Sequence, residues 1–231
     1  MRRLSGLLLA VFFAAFCASP VTVVFAAETE APPKTAKKKV NTKKSTDKEG
    51  QEAAPTRKPD VVFVPTPQDV VDKMLEMVAV QKTELLYDLG CGDGRIVVTA
   101  AKKYGCKAVG FDIDPKRIEE SKANVEKNEV GKLVKIEHKD IFTLDLSKAN
   151  VVTLYLLPSL NVKLIPQLEK LKPGSRIVSH DFDMEGVTPE KEVKFTSKID
   201  NRQHTIYFWK APIKKEGEKE KEEKGEKGEK D

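Results

Sequence analysis

Between about residue 60 and residue 212, short apolar runs alternate with stretches of helical spacing. Val70, Val71, Met74, Leu75, Met77 and Val78 recur at the interval of an amphipathic helix. Ahead of them, Thr66-Pro67-Gln68-Asp69 reads as a helix start, with Thr66 as cap, Pro67 at the first helical position and Asp69 reaching back. A strand over about Glu84 to Leu89 leads to a helix from about Gly94 to Tyr104. Ala108 to Phe111 form a second strand ending at Asp112, and Asp114 caps a helix that carries Pro115 in its first turn and runs to about Asn128. Val134 to Glu137 is a third strand, ending before Asp140. Asn150 to Leu156 is a fourth, apolar enough to be buried on both faces. Leu160 to Leu171 has helical spacing but contains Pro166, which demands a kink or a late start, and Gly174 ends it. Arg176 to Ser179 is a fifth strand. Glu192 to Phe195 and His204 to Trp209 follow without a helical pattern between them and predict an antiparallel hairpin at one sheet edge.

This alternation predicts an α/β domain: a Rossmann-like, doubly wound, mostly parallel seven-stranded sheet with a C-terminal antiparallel hairpin. Open sheets of this kind bind ligands outside the carboxyl ends of the strands. Asp88, Asp112 and Asp140 all fall at such ends.

The segment Tyr87 to Ile96, YDLGCGDGRI, joins the first strand to its helix. Its glycines at 90, 92 and 94 leave the backbone bare, so a ligand can approach it closely. The spacing matches neither the dinucleotide-binding G-x-G-x-x-G nor a P-loop, and Asp93 stands where it would repel a pyrophosphate. A cationic ligand without phosphates fits better.

Outside this region the composition changes. Residues 1–27 begin with Arg2 and Arg3 and then carry no charge, which reads as a signal peptide or an uncleaved signal anchor. Export or membrane association is therefore expected, the alternative being an anchored domain on the cytoplasmic face. Residues 28–59 form a Lys-rich linker and 213–231 a Lys/Glu tail, both too poor in large apolar residues to bury a core and so expected to be disordered. The domain is assigned to 60–212.

The net charge is +5, from 41 basic and 36 acidic residues, and much of the excess lies in the linker. Solvated tails are the plain reading, and contact with anionic lipid or an acidic partner is the alternative. No basic run is interleaved with aromatics, so nucleic acid is not an expected partner. Cys91 and Cys106 lie at opposite edges of the sheet, separated by a strand length of roughly 17–20 Å. That exceeds the about 7 Å a disulfide tolerates, so none is expected. The three histidines have no ligand-like spacing, and no metal site is expected.

The motif set resembles the class I S-adenosylmethionine-dependent methyltransferases over nearly all of Val61 to Trp209. The resemblance implies S-adenosylmethionine as cofactor. By likeness, Gly90, Cys91 and Gly92 pass beneath its methionine and ribose, and Asp88 orients the loop or holds its amino group. Asp112 would grip the ribose hydroxyls, with Ile113 beside it, and Asp140 would face the adenine amine, with Ile141 beside the ring. Asp93 completes the cofactor-binding set. Vicinal hydroxyls are two donors and a carboxylate is an acceptor with two oxygens, so the pairing is chemically apt.

A narrower likeness is carried by FVPTP, DLGCGDGRIV, VGFDIDP, KDIFTLDL, VTLYLLPSL and PGSRIVSHDF. These pieces are similar to the small lysine methyltransferases of the ATP synthase c subunit and the adenine nucleotide translocase. That likeness implies a protein substrate with an accessible lysine, and the enzyme is expected to be a monomer. The acceptor loop would be Tyr155-Leu156-Leu157-Pro158, which lacks the [DN]-P-P-[YF] pattern of enzymes acting on amide-like nitrogens. Tyr155, Leu157 and Pro158 are the candidate acceptor residues, and His180 a candidate proton acceptor or pocket residue, with a structural role as its alternative. A small-molecule acceptor and a non-catalytic cofactor-binding module are the competing functions.

Overall fold

The computed structural model describes residues 57–216. The targeting segment, the linker up to residue 56 and the tail from 217 lie outside the described residues. Seven strands form one sheet in the order β3-β2-β1-β4-β5-β7-β6. They are β1 (Leu85–Leu89), β2 (Lys107–Asp112), β3 (Val134–His138), β4 (Val151–Leu154), β5 (Arg176–His180), β6 (Lys191–Thr196) and β7 (Gln203–Lys210). The first five are parallel, β7 runs antiparallel between β5 and β6, and the direction of winding reverses between β1 and β4. The doubly wound sheet with its C-terminal hairpin is thus present as expected.

Strand alternation divides the core in two. Leu86, Ala108, Val151, Val178 and Phe208 face one apolar cluster, completed by α1 (Gln68–Met77), α2 (Arg95–Tyr104) and α3 (Pro115–Lys127). Leu89, Phe111, Val152, Ile177 and Trp209 face the other, with Leu164 and Leu168 of α4 (Pro158–Leu168). Neighbours such as Val151 and Val152 therefore serve opposite clusters, as the two-residue period of a strand requires.

Several local expectations are corrected. Thr66 does not cap α1: its hydroxyl is turned inward to His180 Nδ1 at 3.1 Å, and the helix starts without a side-chain cap. Asp69 does not reach back either, since it accepts from Ser197 Oγ and the Lys198 amide near the β6–β7 turn. In both cases a tertiary partner outcompetes the local one. α4 begins at Pro158, earlier than Leu160, because a proline fits the first turn, where no amide is needed; Pro166 sits in the final turn. Gly174 lies beyond the helix, where its amide donates to Ala211 O at 2.8 Å. β4 stops at Leu154, which leaves Tyr155 to Leu157 free of strand pairing.

Ordered contacts also pass both expected domain edges. Arg57 pairs with Asp140, Ile213 is buried, and Lys215 bridges to Val187. Cys91 and Cys106 are both free and buried. Among the described residues no helix is long and apolar enough to cross a membrane.

Gly110 on β2 makes room for the loop after β1. A Cβ there would lie 2.8 Å from Cys91 Sγ and 2.9 Å from its Cβ. Gly110→Ala is therefore expected to cost about 1–3 kcal/mol by overpacking. Urea unfolding measures this, and an unchanged midpoint would contradict the packing described.

Candidate active site

The loop after β1 is held by the end of β2. The Gly90 and Cys91 amides both donate to Phe111 O at 2.9 Å, and the Gly92 amide donates to Asp112 Oδ2 at 2.8 Å. This path needs left-handed backbone at Gly90 (φ 79°) and Gly92 (φ 55°). Close approach matters as well: a Cβ at Gly90 would lie 3.0 Å from Leu156, and one at Gly92 only 2.1 Å from the Phe63 ring.

Asp88, at the end of β1, is 2% exposed. Its Oδ1 accepts from Thr153 Oγ1 at 2.7 Å, while the buried Oδ2 has no protein partner. Burial pushes its carboxyl up to about 7; the Thr153 hydrogen bond opposes the shift and the charges of Asp112 and Asp93 add to it. Asp112 is also raised by burial, against the pull of the Asp114 and Gly92 amides that it accepts. Asp93 is gripped by Arg95, whose guanidinium also donates to Thr66 O at 2.7 Å.

A cleft of roughly 250 Å³ opens at the carboxyl edge of the sheet. Asp88, Gly90, Cys91, Asp93, Asp112, Ile113 and Ile141 contribute to one part of the wall, and Tyr155, Leu156, Leu157, Leu160 and Phe182 to another. Residues 57–66 lie over the loop as an extended strap. Phe63 of this strap packs on Gly92, and the Arg117 guanidinium sits 4.7 Å from the Phe63 ring centre.

Four sequence-derived candidates do not line the cleft: Gly92, Asp140, Pro158 and His180. Gly92 is covered by Phe63. Asp140 is drawn into a two-point pair with Arg57, at 3.0 and 3.1 Å, and caps the short helical turn Ile141–Thr143 through the Phe142 amide. Burial would raise its carboxyl, but Arg57 and that amide hold it below the usual range. Pro158 serves as the first residue of α4. His180 is fully buried behind Tyr155, with ring centres 4.0 Å apart, and burial pushes its imidazole down to about 4.

The sequence reading missed the strap and Phe182. Val61 to Val64 lie between Pro59 and Pro65 as an apolar run belonging to no helix or strand pattern. That is the signal from which a covering segment could have been read.

The ANTKMT methyltransferase domain family matches residues 88–191. A protein-lysine N-methyltransferase of Saccharolobus islandicus is 47% identical over 153 residues, covering 65% of this chain and 94% of that protein. The chain belongs to the ANTKMT methyltransferase family. The human lysine N-methyltransferase of the ATP synthase c subunit is 29% identical over 135 residues, covering 58% of this chain and 57% of that protein. A solved structure of a Salinibacter ruber protein described as an RNA methyltransferase, in complex with S-adenosyl-L-homocysteine, superposes with a TM-score of 0.60. It is 47% identical and covers 64% of this chain and 93% of that one.

This methyltransferase uses S-adenosylmethionine, and its cleft suits that molecule. The unpartnered Asp88 Oδ2 offers a buried acceptor for a cationic donor. Asp88, Asp93 and Asp112 make the cleft's loop side acidic, and Ile113 and Ile141 supply apolar surface for a ring.

The raised Asp88 carboxyl has a consequence for stability. Its folded value of about 7 lies above that of an unfolded aspartate, so the folded state binds the proton more tightly. The stability this group contributes is present at low pH and is lost as pH rises from about 4 to about 7. Asp88→Asn removes that penalty. Its melting temperature relative to the unaltered chain should rise between about pH 4 and about pH 7. A difference that stays constant with pH, in paired thermal melts, would contradict the assignment.

Proposed function

We propose that this methyltransferase modifies the ε-amino group of lysine in a protein substrate. The reading is carried by the wall formed by Tyr155, Leu156, Leu157 and Phe182, which is apolar and edged by aromatic rings. A lysine has an aliphatic stem that such a wall can cover, and its amine must be neutral to attack. A water-poor surface favours the neutral amine over the ammonium. An amide or a nucleobase would instead need a polar partner at the Leu157-Pro158 position. Further support comes from the lysine specificity named for the Saccharolobus and human relatives.

S-adenosylmethionine supplies an electrophilic methyl group on a cationic sulfur. The residues of this chain have three tasks towards it. Asp112 holds the ribose hydroxyls with the lone pairs not used by Gly92 and Asp114. Asp88 holds the amino group with its free oxygen. Ile113 and Ile141 enclose the base. Tyr155 and Phe182 aim the acceptor, and orientation of this kind contributes about 7–11 kcal/mol in well-aligned reactions. No residue needs to act as an acid, because the departing sulfide is neutral.

A second reading, an RNA acceptor, is favoured by the description of the Salinibacter protein. One experiment separates the two. Cell lysate is incubated with methyl-labelled cofactor and the chain, with Asp112→Ala as control. Label is expected on protein lysines, and the control should show cofactor affinity weakened by about 10- to 150-fold, the effect of losing one hydrogen bond to a charged group. Label confined to RNA or small molecules would overturn the lysine assignment, and unchanged cofactor affinity in the control would overturn the placing of the ribose.

A further inference from the structure

Behind Tyr155, away from the cleft wall, the antiparallel pairing of β5 and β7 brings His204 to the adjacent pair His180 and Asp181. His180 ends β5, Asp181 follows it, and His204 lies near the start of β7. Asp181 is locked to β7 from both sides: its amide donates to Thr205 O at 2.7 Å, and its Oδ1 accepts from the Thr205 amide at 2.8 Å. His180 Nε2 then lies 2.9 Å from His204 Nδ1, His204 Nδ1 lies 3.0 Å from Asp181 Oδ2, and His180 Nε2 lies 3.3 Å from the same oxygen.

The opposite atom of each side chain is already engaged elsewhere. His180 Nδ1 contacts Thr66 Oγ1 at 3.1 Å, and His204 Nε2 sits 3.1 Å from the Asp200 carboxylate. Asp200 requires a hydrogen on His204 Nε2, which leaves a lone pair on Nδ1 when the ring is neutral. That lone pair faces a carboxylate oxygen at contact distance. A proton bridging His180 and His204 would relieve one edge of the triangle, whereas a cation at its centre relieves all three. Ligand bonds of about 2.0–2.2 Å place neighbouring ligand atoms about 2.8–3.1 Å apart at octahedral angles and about 3.3–3.6 Å apart at tetrahedral ones, so the two shorter edges match the first and the longest matches the second.

We propose that His180 Nε2, His204 Nδ1 and Asp181 Oδ2 form a binding site for a divalent first-row transition ion such as zinc. Two imidazoles and a carboxylate are the borderline donor set that such ions prefer. Thr66 and Asp200 act as the outer partners that fix the two rings, with Asp200 completing a carboxylate–histidine–metal arrangement. Both histidines are buried, but the Asp181 side chain is 26% exposed, so an ion can enter on its side and keep a water in the remaining position. The site does not line the cleft. It ties the end of β5 to the start of β7 and holds the His180 ring against which Tyr155 packs. The ion is thus a structural staple behind the acceptor wall, not a participant in methyl transfer.

The test uses the full chain without a purification tag, stripped with a chelator. Zinc binding is followed by calorimetry, and cobalt(II) binding by visible absorption. One equivalent is expected, with cobalt bands of a nitrogen- and oxygen-ligated site and a higher melting temperature on loading. The affinity for S-adenosylmethionine should not change. Asp181→Asn should abolish tight binding, and Asp200→Asn should weaken it by about 10- to 100-fold. Both aspartates are partly exposed, so these variants remain folded. His138→Gln, on β3, should bind as the unaltered chain does. No saturable binding would overturn the proposal, as would binding that survives both aspartate substitutions. A His204 ring that nitrogen NMR shows doubly protonated, and that zinc leaves so, would identify the cluster as an imidazolium between two carboxylates and also overturn it.

Discussion

The site depends on the clamp that the end of β2 places on the loop after β1. Phe111 O takes two amides of that loop and Asp112 takes a third. The bonds fix a left-handed path that only glycine follows easily. They also set Asp88, Asp93 and Asp112 on one side of the cleft, where the charges of Asp112 and Asp93 raise the proton affinity of Asp88 on top of the effect of burial. Such a cluster of like charges is costly by itself and favourable around a cation. The scaffold stores an unfavourable charge arrangement that its ligand relieves.

The two remaining walls have different physical characters. The strap of residues 57–66 lies over the clamped loop, with Phe63 filling the space that Gly92 leaves and Arg57 reaching Asp140. It shields the charged side from water, which strengthens each interaction there. The acceptor wall is apolar and rests on a buried polar network through Tyr155 and His180. One wall recognises charge. The other removes water from an incoming amine.

The doubly wound sheet and its terminal hairpin were legible because strands and helices of this fold carry clear periods, and Asp88 and Asp112 because they lie at strand ends. The Asp114 cap of α3 was likewise legible, since Asp-Pro is a purely local signal and Asp114 does accept from the Lys116 amide. Thr66 and Asp69 were misread for the converse reason. Their sequence context describes a capping motif, but partners 114 and 128 residues away take their oxygens. Asp140 was placed correctly along the chain, yet its charge is matched by Arg57, from a segment whose composition reads as linker. The gathering of His180, Asp181 and His204 has no sequence signature, because strand register alone brings β5 and β7 together.

The central claim is that the Asp88 carboxyl, which burial and its acidic neighbours push up to about 7, ionises to receive a cationic nucleoside. Calorimetric titration with S-adenosylmethionine near pH 6.5, repeated in buffers of different ionisation enthalpy, measures the protons exchanged on binding. The account predicts proton release on binding, approaching about one proton and lost in Asp88→Asn. Binding with no proton exchange, or with the same exchange in the Asn variant, would contradict it.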